Sequence, residues 1–551
     1  MSNLSPQLLR DLIAIVGREA VLADDASLDT FARTTLPKGT RPAVIVRPDS
    51  REQIQQIFQK ASAEHCPVFP ISRGKNWGYG DACAPRDNNL ILDLSRMNRI
   101  VEVNTKLAYA VIEPGVTQGQ LAEYLEKNNF PLILDGNGAG PDASLIGNIA
   151  ERGFGHSRYG DRFAHVCNFE AVLADGRFVQ TGFGAFPKAQ AQHVYTWGIG
   201  PYWDGLLTQS NFAVITRATV WLMVRPEHVN YVFIGLKDPD AIGSLVDRFR
   251  PLYLSGTLRS VIHCANDLRL LGSAMRFPWT EADGRESLDI ANPALLQTMY
   301  RQSGVRAWSL AGILTGSRVE VAAFRKTLKR ALRGMPGIET AFFMGPGLHR
   351  CFQGINVMLK RFDVLPRLQR DLERVDWLIT LFEGHPSPQT LQGAHWRARG
   401  QADERSDPLD SRAGLVWVNC VLPMTSESVL RVNRLSQSIF HQYGFEFQTT
   451  LSFIGERAIC AIMSICFDHQ SNEETSRALD CEEALLAALL EEGYLPYRAS
   501  ARQQEQIARQ APLWNIPHDD VKKALDPEGI LAQGRYSSHD KQHGATKKGR
   551  N

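Results

Sequence analysis

The chain has 551 residues, with 61 Lys and Arg against 59 Asp and Glu and a formal net charge of +2. Its 44% hydrophobic and 22% charged residues are those of a globular protein, which excludes an intrinsically disordered regulator. A charge this close to zero gives no electrostatic footprint for nucleic acid or an anionic membrane, although small anions can still be held locally.

The opening segment, MSNLSPQLLRDLIAIVGREA, reads as an amphipathic helix and lacks the basic-then-apolar pattern of a secretory signal. The longest apolar run, AICAIMSICF at 458–467, is half the ~20 consecutive residues that span a bilayer. A soluble, cytoplasmic protein is expected. The nine cysteines are scattered, odd in number and without a C-x-x-C, which argues against a disulfide scaffold or zinc ribbon. No metal site is expected.

Residues 41–226 are dense in short β-branched runs and Gly-rich turns. Strands at 43–48 and 67–72 flank a helix at 50–65 capped by Ser50, a β-α-β unit. Strands at 90–95 and 109–115 and a helix at 117–129 follow. Residues 169–182 form a hairpin turning at Asp175-Gly176, and 212–223 a long alternating strand. From 229 to 494 the character changes. Helices such as 427–444 alternate with strands such as 447–454 and 458–467, an α+β pattern with an antiparallel sheet. Residues 385–414 are polar and rich in Pro and Gly, too long for a plain connection, and read as either a disordered or a functional loop. Past Arg498 a helix is predicted to about Ala524. Residues 526–535 close the fold, and a polar tail expected to be disordered ends the chain.

Four Gly-rich segments sit at strand ends: 70–82, 135–148, 150–162 and 197–205. Such loops let backbone approach a ligand and free N–H groups to cradle phosphate. A Walker loop is absent, because Gly74-Lys75 is followed by Asn76. A Rossmann fingerprint is absent too, because after Gly153 and Gly155 the next glycine is Gly160. Each loop alone is an ordinary tight turn; four together point to a large phosphate-bearing cofactor.

The runs PVFPISRGKNWGYGDACAPR, LILDLSRMNRIVEVNTKLAYAVIEPGVTQGQLAEYL, SLIGNIAERGFGHSRYGD and WGIGPYWDGLLTQSNFAVITRATVWLM resemble, in this order, the flavin-binding domain of the vanillyl-alcohol oxidase and p-cresol methylhydroxylase family. EEGYLPYRASARQQEQ and DPEGILAQGR resemble its closing segments. The resemblance implies an α+β fold with a two-lobed FAD domain built from both ends of the chain, residues 1–228 and 495–551. A cap of residues 229–494 carrying an antiparallel sheet would be inserted over the flavin. It also implies that Pro70, Ile71, Ser72, Arg73, Gly74, Lys75 and Asn76 wrap the diphosphate. Ser144, Gly147 and Asn148 would run along the flavin, Val214 and Thr216 would meet the adenine end, and Arg535 would lie near the isoalloxazine.

Phenol-oxidising members pass a hydride from a benzylic carbon to flavin N5, and ionising the para-hydroxyl eases its loss because a neutral quinone methide results. The family's two tyrosines and arginine around the phenolate match Tyr79, Tyr497 and Arg498. Read without the family, Tyr79 is a packed core tyrosine and Arg498 an ordinary ion-pair residue. The sequence also departs from the family. Its acidic residue near flavin N5 sits in a glycine-triplet segment missing here, leaving Asp142 and Asp135 as candidates. A family tyrosine falls on His156, which is either a proton shuttle or a structural histidine. Leu415 and Val416 stand where a covalent flavin linker would be, so non-covalent FAD is expected. The family's paired cap-strand histidines are replaced by residues 456–463.

The expected function is therefore hydride transfer to FAD from a phenolic or other aromatic alcohol, amine or alkyl side chain. Oxygen or a cytochrome would be the acceptor, and a homodimer the assembly. A 2-hydroxy acid or other alcohol bound through Arg498, Arg73 or His156 is the second reading, and a degenerate flavin-binding partner protein the third.

Overall fold

In the computed structural model, residues 4–362, 366–400 and 406–537 are described. The polar tail expected to be disordered falls almost wholly outside them. The architecture is α+β, with a four-stranded sheet, a five-stranded sheet and a two-stranded ribbon within residues 21–224 and one large antiparallel sheet within residues 228–468.

The first lobe is a four-stranded sheet of β1 (Val21–Leu22), β2 (Val44–Val46), β3 (Val68–Ile71) and β4 (Leu90–Asp93), in the order β1-β2-β4-β3. β2, β4 and β3 run parallel. The crossover from β2 to β3 is the helix Arg51–Ala63, whose Ser50 cap accepts from the Gln53 N–H. Strand, helix and cap all fall where the sequence placed them. The open edge of β3 is completed by the far end of the chain. Val68 bridges Leu531 in parallel, with Val68 N–H donating to the Ile530 carbonyl at 2.8 Å and Ala532 N–H to the Val68 carbonyl at 2.8 Å. A buried ion pair fixes that end. Lys522 Nζ meets Asp526 Oδ2 at 2.6 Å and donates to the carbonyls of Asn211 and Leu531.

The second lobe is an antiparallel sheet of β5 (Ile100–Asn104), β6 (Tyr109–Ile112), β8 (Val166–Leu173), β9 (Phe178–Gln180) and β10 (Ala213–Trp221), ordered β5-β6-β10-β8-β9. Gly176, at φ 84°, turns β8 into β9 as the Asp-Gly signal predicts. A short ribbon of β7 (Leu132–Ile133) and β11 (Met223–Val224) lies beside it.

The cap sheet has seven strands: β12 (His228–Leu236), β13 (His263–Asn266), β14 (Trp308–Gly316), β15 (Ile338–Met344), β16 (Ala413–Pro423), β17 (Gln448–Ser452) and β18 (Ala458–Asp468). Their order is β15-β12-β14-β13-β17-β18-β16. Side chains alternate between its faces. One face, with Val416, Val418, Leu451, Ile459 and Ile465, packs on the helices Ala241–Leu254, Ser426–Gln442 and Asn472–Glu491 in the largest apolar core. The other face covers the cavity described below.

One reading needs correction, and one open alternative is resolved. The predicted helix after Arg498 is two helices, Gln504–Arg509 and Pro512–Leu525, because Pro512 has no N–H to continue the first and instead opens the second. The polar loop 385–414 is folded over most of its described length. Residues Pro388–His395 form a 3-10 helix, and Trp396 and Arg397 are fully buried. Arg397 makes a bidentate pair with Glu446 at 2.9 and 2.9 Å, and donates to the carbonyls of Gly284 and Gly444. Trp396 Nε1 donates to the same carboxylate at 2.7 Å. Burial pushes the Glu446 pKa up, but the Arg397 charge and these donors outweigh it and hold the carboxyl below its ordinary value. Part of the polarity of this stretch thus serves internal ion pairing.

Candidate functional site

A single cavity of about 990 Å³ runs between the two lobes and the cap sheet. One end of it is formed by the loop after β3. Pro70, Ile71, Ser72, Arg73, Gly74, Lys75 and Asn76 all line it. Gly74 is left-handed at φ 64°, and among the described residues the N–H groups of Arg73, Gly74, Lys75 and Asn76 donate to no protein acceptor. Four adjacent unsatisfied backbone donors form an anion cradle. Asp407 braces it from the folded loop, pairing with Lys75 Nζ and accepting from Trp77 Nε1 at 2.8 Å. Ser144, Gly147, Asn148 and Val214 line the cavity further along, and Arg535 closes it beside Glu151.

Thr216 does not reach the cavity. It sits at a bulge in the pairing of β10 with β8, and its hydroxyl donates back to the Glu170 carbonyl at 3.2 Å. Asp142 is exposed and also lies outside the walls. The other candidate acid, Asp135, is buried but committed to structure. It pairs with Arg162 at 2.9 Å and accepts from the N–H groups of His156 and Ser157 at 3.1 and 2.9 Å. A Cβ on Gly155 would lie 1.8 Å from its carboxylate, so the loop carrying His156 closes over Asp135 only with glycine there. Of the two carboxylates that line the cavity, Asp81 is committed to the Thr34 and Thr35 hydroxyls and the Thr35 N–H; the other is Glu151, which the sequence reading missed. It pairs with Arg535, lies 3.9 Å from Arg498 Nε and accepts from the Tyr536 hydroxyl at 3.4 Å.

Tyr79, Tyr497 and Arg498 converge. The Arg498 guanidinium lies 4.0 Å over the Tyr79 ring and donates to Asn76. The two tyrosine side chains are close enough to influence each other's ionisation. Asn419, on β16, ties the three together. Its Nδ2 donates to the Tyr79 hydroxyl at 3.2 Å and the Arg498 carbonyl at 2.8 Å, and its Oδ1 accepts from the Tyr497 N–H at 3.1 Å. Burial raises Tyr79 well above its ordinary pKa and Tyr497 to about 12, so both are neutral donors at pH 7. Burial works against the Arg498 charge, but Glu151 and the two tyrosines more than restore it. The cluster is two O–H donors and a fixed cation, which favours a bound phenolate over a phenol.

Asn419 also heads a cross-strand row with one residue from each cap strand: Asn419, Ile462, Thr450, Ala265, Ser309, Gly235 and Thr340. All but Asn419 are in the cavity wall. Ile462 is the β18 residue facing the site, in the segment that replaces the family's paired histidines.

His156 and His263 lie beside this row with ring centroids 4.0 Å apart. His263 contacts Ser452 Oγ at 2.8 Å and the Gly155 carbonyl at 3.2 Å. Burial lowers the His263 pKa to about 4, and burial with His263 and Arg162 nearby lowers His156 well below its usual value. Unfolded histidine protonates near 6.5, so this pair's stabilisation is complete above about pH 6.5 and is lost as pH falls toward 4. The thermal midpoint is expected to drop several degrees between pH 7 and pH 5, and less in His263→Gln. An equal drop in both proteins excludes the pair as its source.

An FAD binding domain model matches residues 42–182. The 1'-carboxy-chondrochloren decarboxylase of Chondromyces crocatus is 34% identical over 526 residues, covering 95% of each chain. The chain belongs to the vanillyl-alcohol oxidase and p-cresol methylhydroxylase family. The 4-cresol dehydrogenase (hydroxylating) flavoprotein subunit of Pseudomonas putida is 28% identical over 95% of this chain and 93% of its own. Among solved structures, substrate-bound p-cresol methylhydroxylase superposes with a TM-score of 0.84 at 26% identity, covering 96% of each chain. The 4-ethylphenol oxidase of Gulosibacter chungangensis, in complex with isoeugenol, gives 0.86 at 25% identity over 97% of this chain and 98% of its own. FAD is thus the cofactor of this family member, and the unsatisfied donors of its glycine loop fit the FAD diphosphate.

No helix among the described residues is long and apolar enough to cross a membrane. Among them no group of His, Cys, Asp or Glu is arranged to hold a metal.

Proposed function

We propose that this FAD-dependent oxidoreductase removes a hydride from the benzylic carbon of a para-hydroxyphenyl substrate bearing an alcohol, amine or alkyl side chain. The observation that carries this reading is the convergence of Tyr79, Tyr497 and Arg498, locked by Asn419, at one place in the cavity wall.

FAD, when bound, supplies a two-electron acceptor. Residues Pro70 to Asn76 would hold its diphosphate, Ser144, Gly147 and Asn148 its flavin side, Val214 its adenine end, and Arg535 its ring. The protein's part is to bind and polarise the substrate. Tyr79 and Tyr497 donate to the phenolic oxygen, and Arg498 supplies the positive charge that keeps it ionised. Glu151 holds Arg498 and Arg535 in place. His156 and His263, neutral and facing the cavity, are hydrogen-bond partners for the leaving or attacking group. Leu415, at the linker position, presents only an isobutyl group to the cavity, which supports non-covalent FAD. Oxygen or a cytochrome as acceptor, and a homodimer, belong to the same proposal.

A second outcome is favoured by the 34% relative, which is named a decarboxylase of a carboxylated compound. If a carboxylate sits on the carbon next to the oxidised one, the quinone methide can lose CO₂. The electron pair of the carbon–carboxylate bond becomes the new C=C bond, and the ring regains its aromatic phenolate. The net change is two-electron oxidation with loss of CO₂.

Anaerobic mixing tests the reading. 4-Alkylphenols or 4-hydroxybenzyl alcohols are expected to bleach the flavin, and 2-hydroxy acids to leave it oxidised. Bleaching by 2-hydroxy acids alone would transfer the site to the second reading, and bleaching by neither to a flavin-binding partner protein. On denaturation, the yellow colour is expected to pass a size-exclusion filter; colour retained with the protein would refute the non-covalent assignment.

A further inference from the structure

Six basic side chains line the cavity: Arg73, Lys75, Arg269, Arg306, Arg498 and Arg535. Lys75 is matched by Asp407, Arg306 by Glu339, and Arg498 and Arg535 by Glu151. Arg73 stands in the glycine loop, where the diphosphate of FAD brings its counter-charge. Arg269 is left over. No acceptor among the described residues bonds its guanidinium, and its Nη1 is enclosed without a partner. Burial lowers its pKa, with the Cys466 thiol as the one group opposing this. A guanidinium stays charged nonetheless, and a charge enclosed without a counter-ion costs several kcal/mol.

The surroundings hold this cation in place rather than neutralise it. Arg269 lies on the helix Asp267–Gly272, capped by Asn266, which also bonds the backbone of Phe447 and Thr449. Its guanidinium is 5.1 Å over the Trp417 ring. A Cβ on Gly393 would come 2.7 Å from Nη1, so glycine there makes room for it. Trp417 and Asn419 share a face of β16, two residues and ~7 Å apart. Asn419 bonds the Tyr79 hydroxyl. The free cation therefore lines the same cavity as the phenolate cluster and packs on the residue two positions before the one that ties that cluster together, so one substrate can meet both, its phenol at the tyrosines and a para side chain toward Arg269. A single planar fork beside an indole, with no second cation, suits a carboxylate better than a phosphate.

We propose that Arg269 is the carboxylate-binding residue of the substrate cavity, so that the preferred substrate is a phenol whose para side chain carries a carboxylate. The placement of the phenol rests on the phenolate reading of Tyr79, Tyr497 and Arg498; the vacant cation does not.

The test is equilibrium binding to the FAD-loaded protein of probes with an ether oxygen in place of the oxidisable carbon. (4-Hydroxyphenoxy)acetate is expected to bind at least tenfold more tightly than 4-ethoxyphenol. Arg269→Met should erase that preference without changing the affinity for 4-ethoxyphenol, and Arg269→Lys should keep part of it. Equal affinity for the two probes, or a preference that survives both Arg269→Met and Arg269→Gln, overturns the proposal. Phenoxyacetate separates the two inferences. If it binds as well as its hydroxylated analogue, and through Arg269, the anion subsite stands and the phenolate reading falls. If 4-ethoxyphenol binds tightly and a carboxylate adds nothing, the reverse holds.

Discussion

Arg498→Met is expected to lower kcat/KM for a phenolic substrate by about 10²–10³-fold while the flavin stays bound. The cation is enclosed, stacked at 4.0 Å on Tyr79 and held between Asn76 and Glu151. Removing it leaves two neutral hydroxyls to stabilise a phenolate in a low-dielectric wall, where one charge is worth far more than in water. Arg498→Lys keeps the charge but loses the planar fork, and should fall between the two proteins. The pH profile gives an independent readout. Without Arg498 the rate should rise toward higher pH, because the substrate must then ionise in solution. Wild-type rates with a normal profile would show that Arg498 only props Glu151 and the loop. Tyr79→Phe and Tyr497→Phe each remove one donor and should cost less than the arginine.

Arg397→Met is expected to destabilise the cap by about 3–5 kcal/mol, because it leaves the Glu446 carboxylate buried and unmatched. Arg397 and Glu446 have side-chain exposures of 0% and 2%. Every polar hydrogen used in the pair is directed at Glu446 or at a carbonyl of a neighbouring loop. In a calorimetric scan the transition containing the cap should move down by on the order of 10 °C. A double change of both residues to apolar side chains should recover much of the loss, since burying two charges costs what their attraction returns. If Arg397→Met melts like wild type, the pair carries no net stabilisation.

The β-α-β unit, the Asp-Gly hairpin and the long strands were legible in the sequence because each is encoded locally, by period and by cap or turn residues. The glycine loop and the Tyr79, Tyr497 and Arg498 cluster were legible through ordered motifs. Asn419 was not: it lies inside the run AGLVWVNCVLP, and only the pairing register turns it toward Tyr79. Glu151 was hidden for a similar reason, since its partners Arg498 and Arg535 arrive from the other end of the chain. Arg269 shows no motif at all; what marks it is a missing partner, which is a property of the folded chain. Asp142 drew attention by proximity to a family segment, but it points to solvent. Composition left 385–414 open between a disordered and a functional loop; the fold decides it by using the charge inside, in the Arg397–Glu446 pair.

The pairing of Val68 with Leu531 puts the flavin site on a clock. A ribosome adding ~5–20 residues per second exposes β3 on the order of a minute before it can deliver the segment that completes its edge. Throughout that interval the diphosphate loop hangs from a strand with one side unpaired. Completion of the β3 edge, and with it the support of the loop that follows, therefore waits for the last part of the chain.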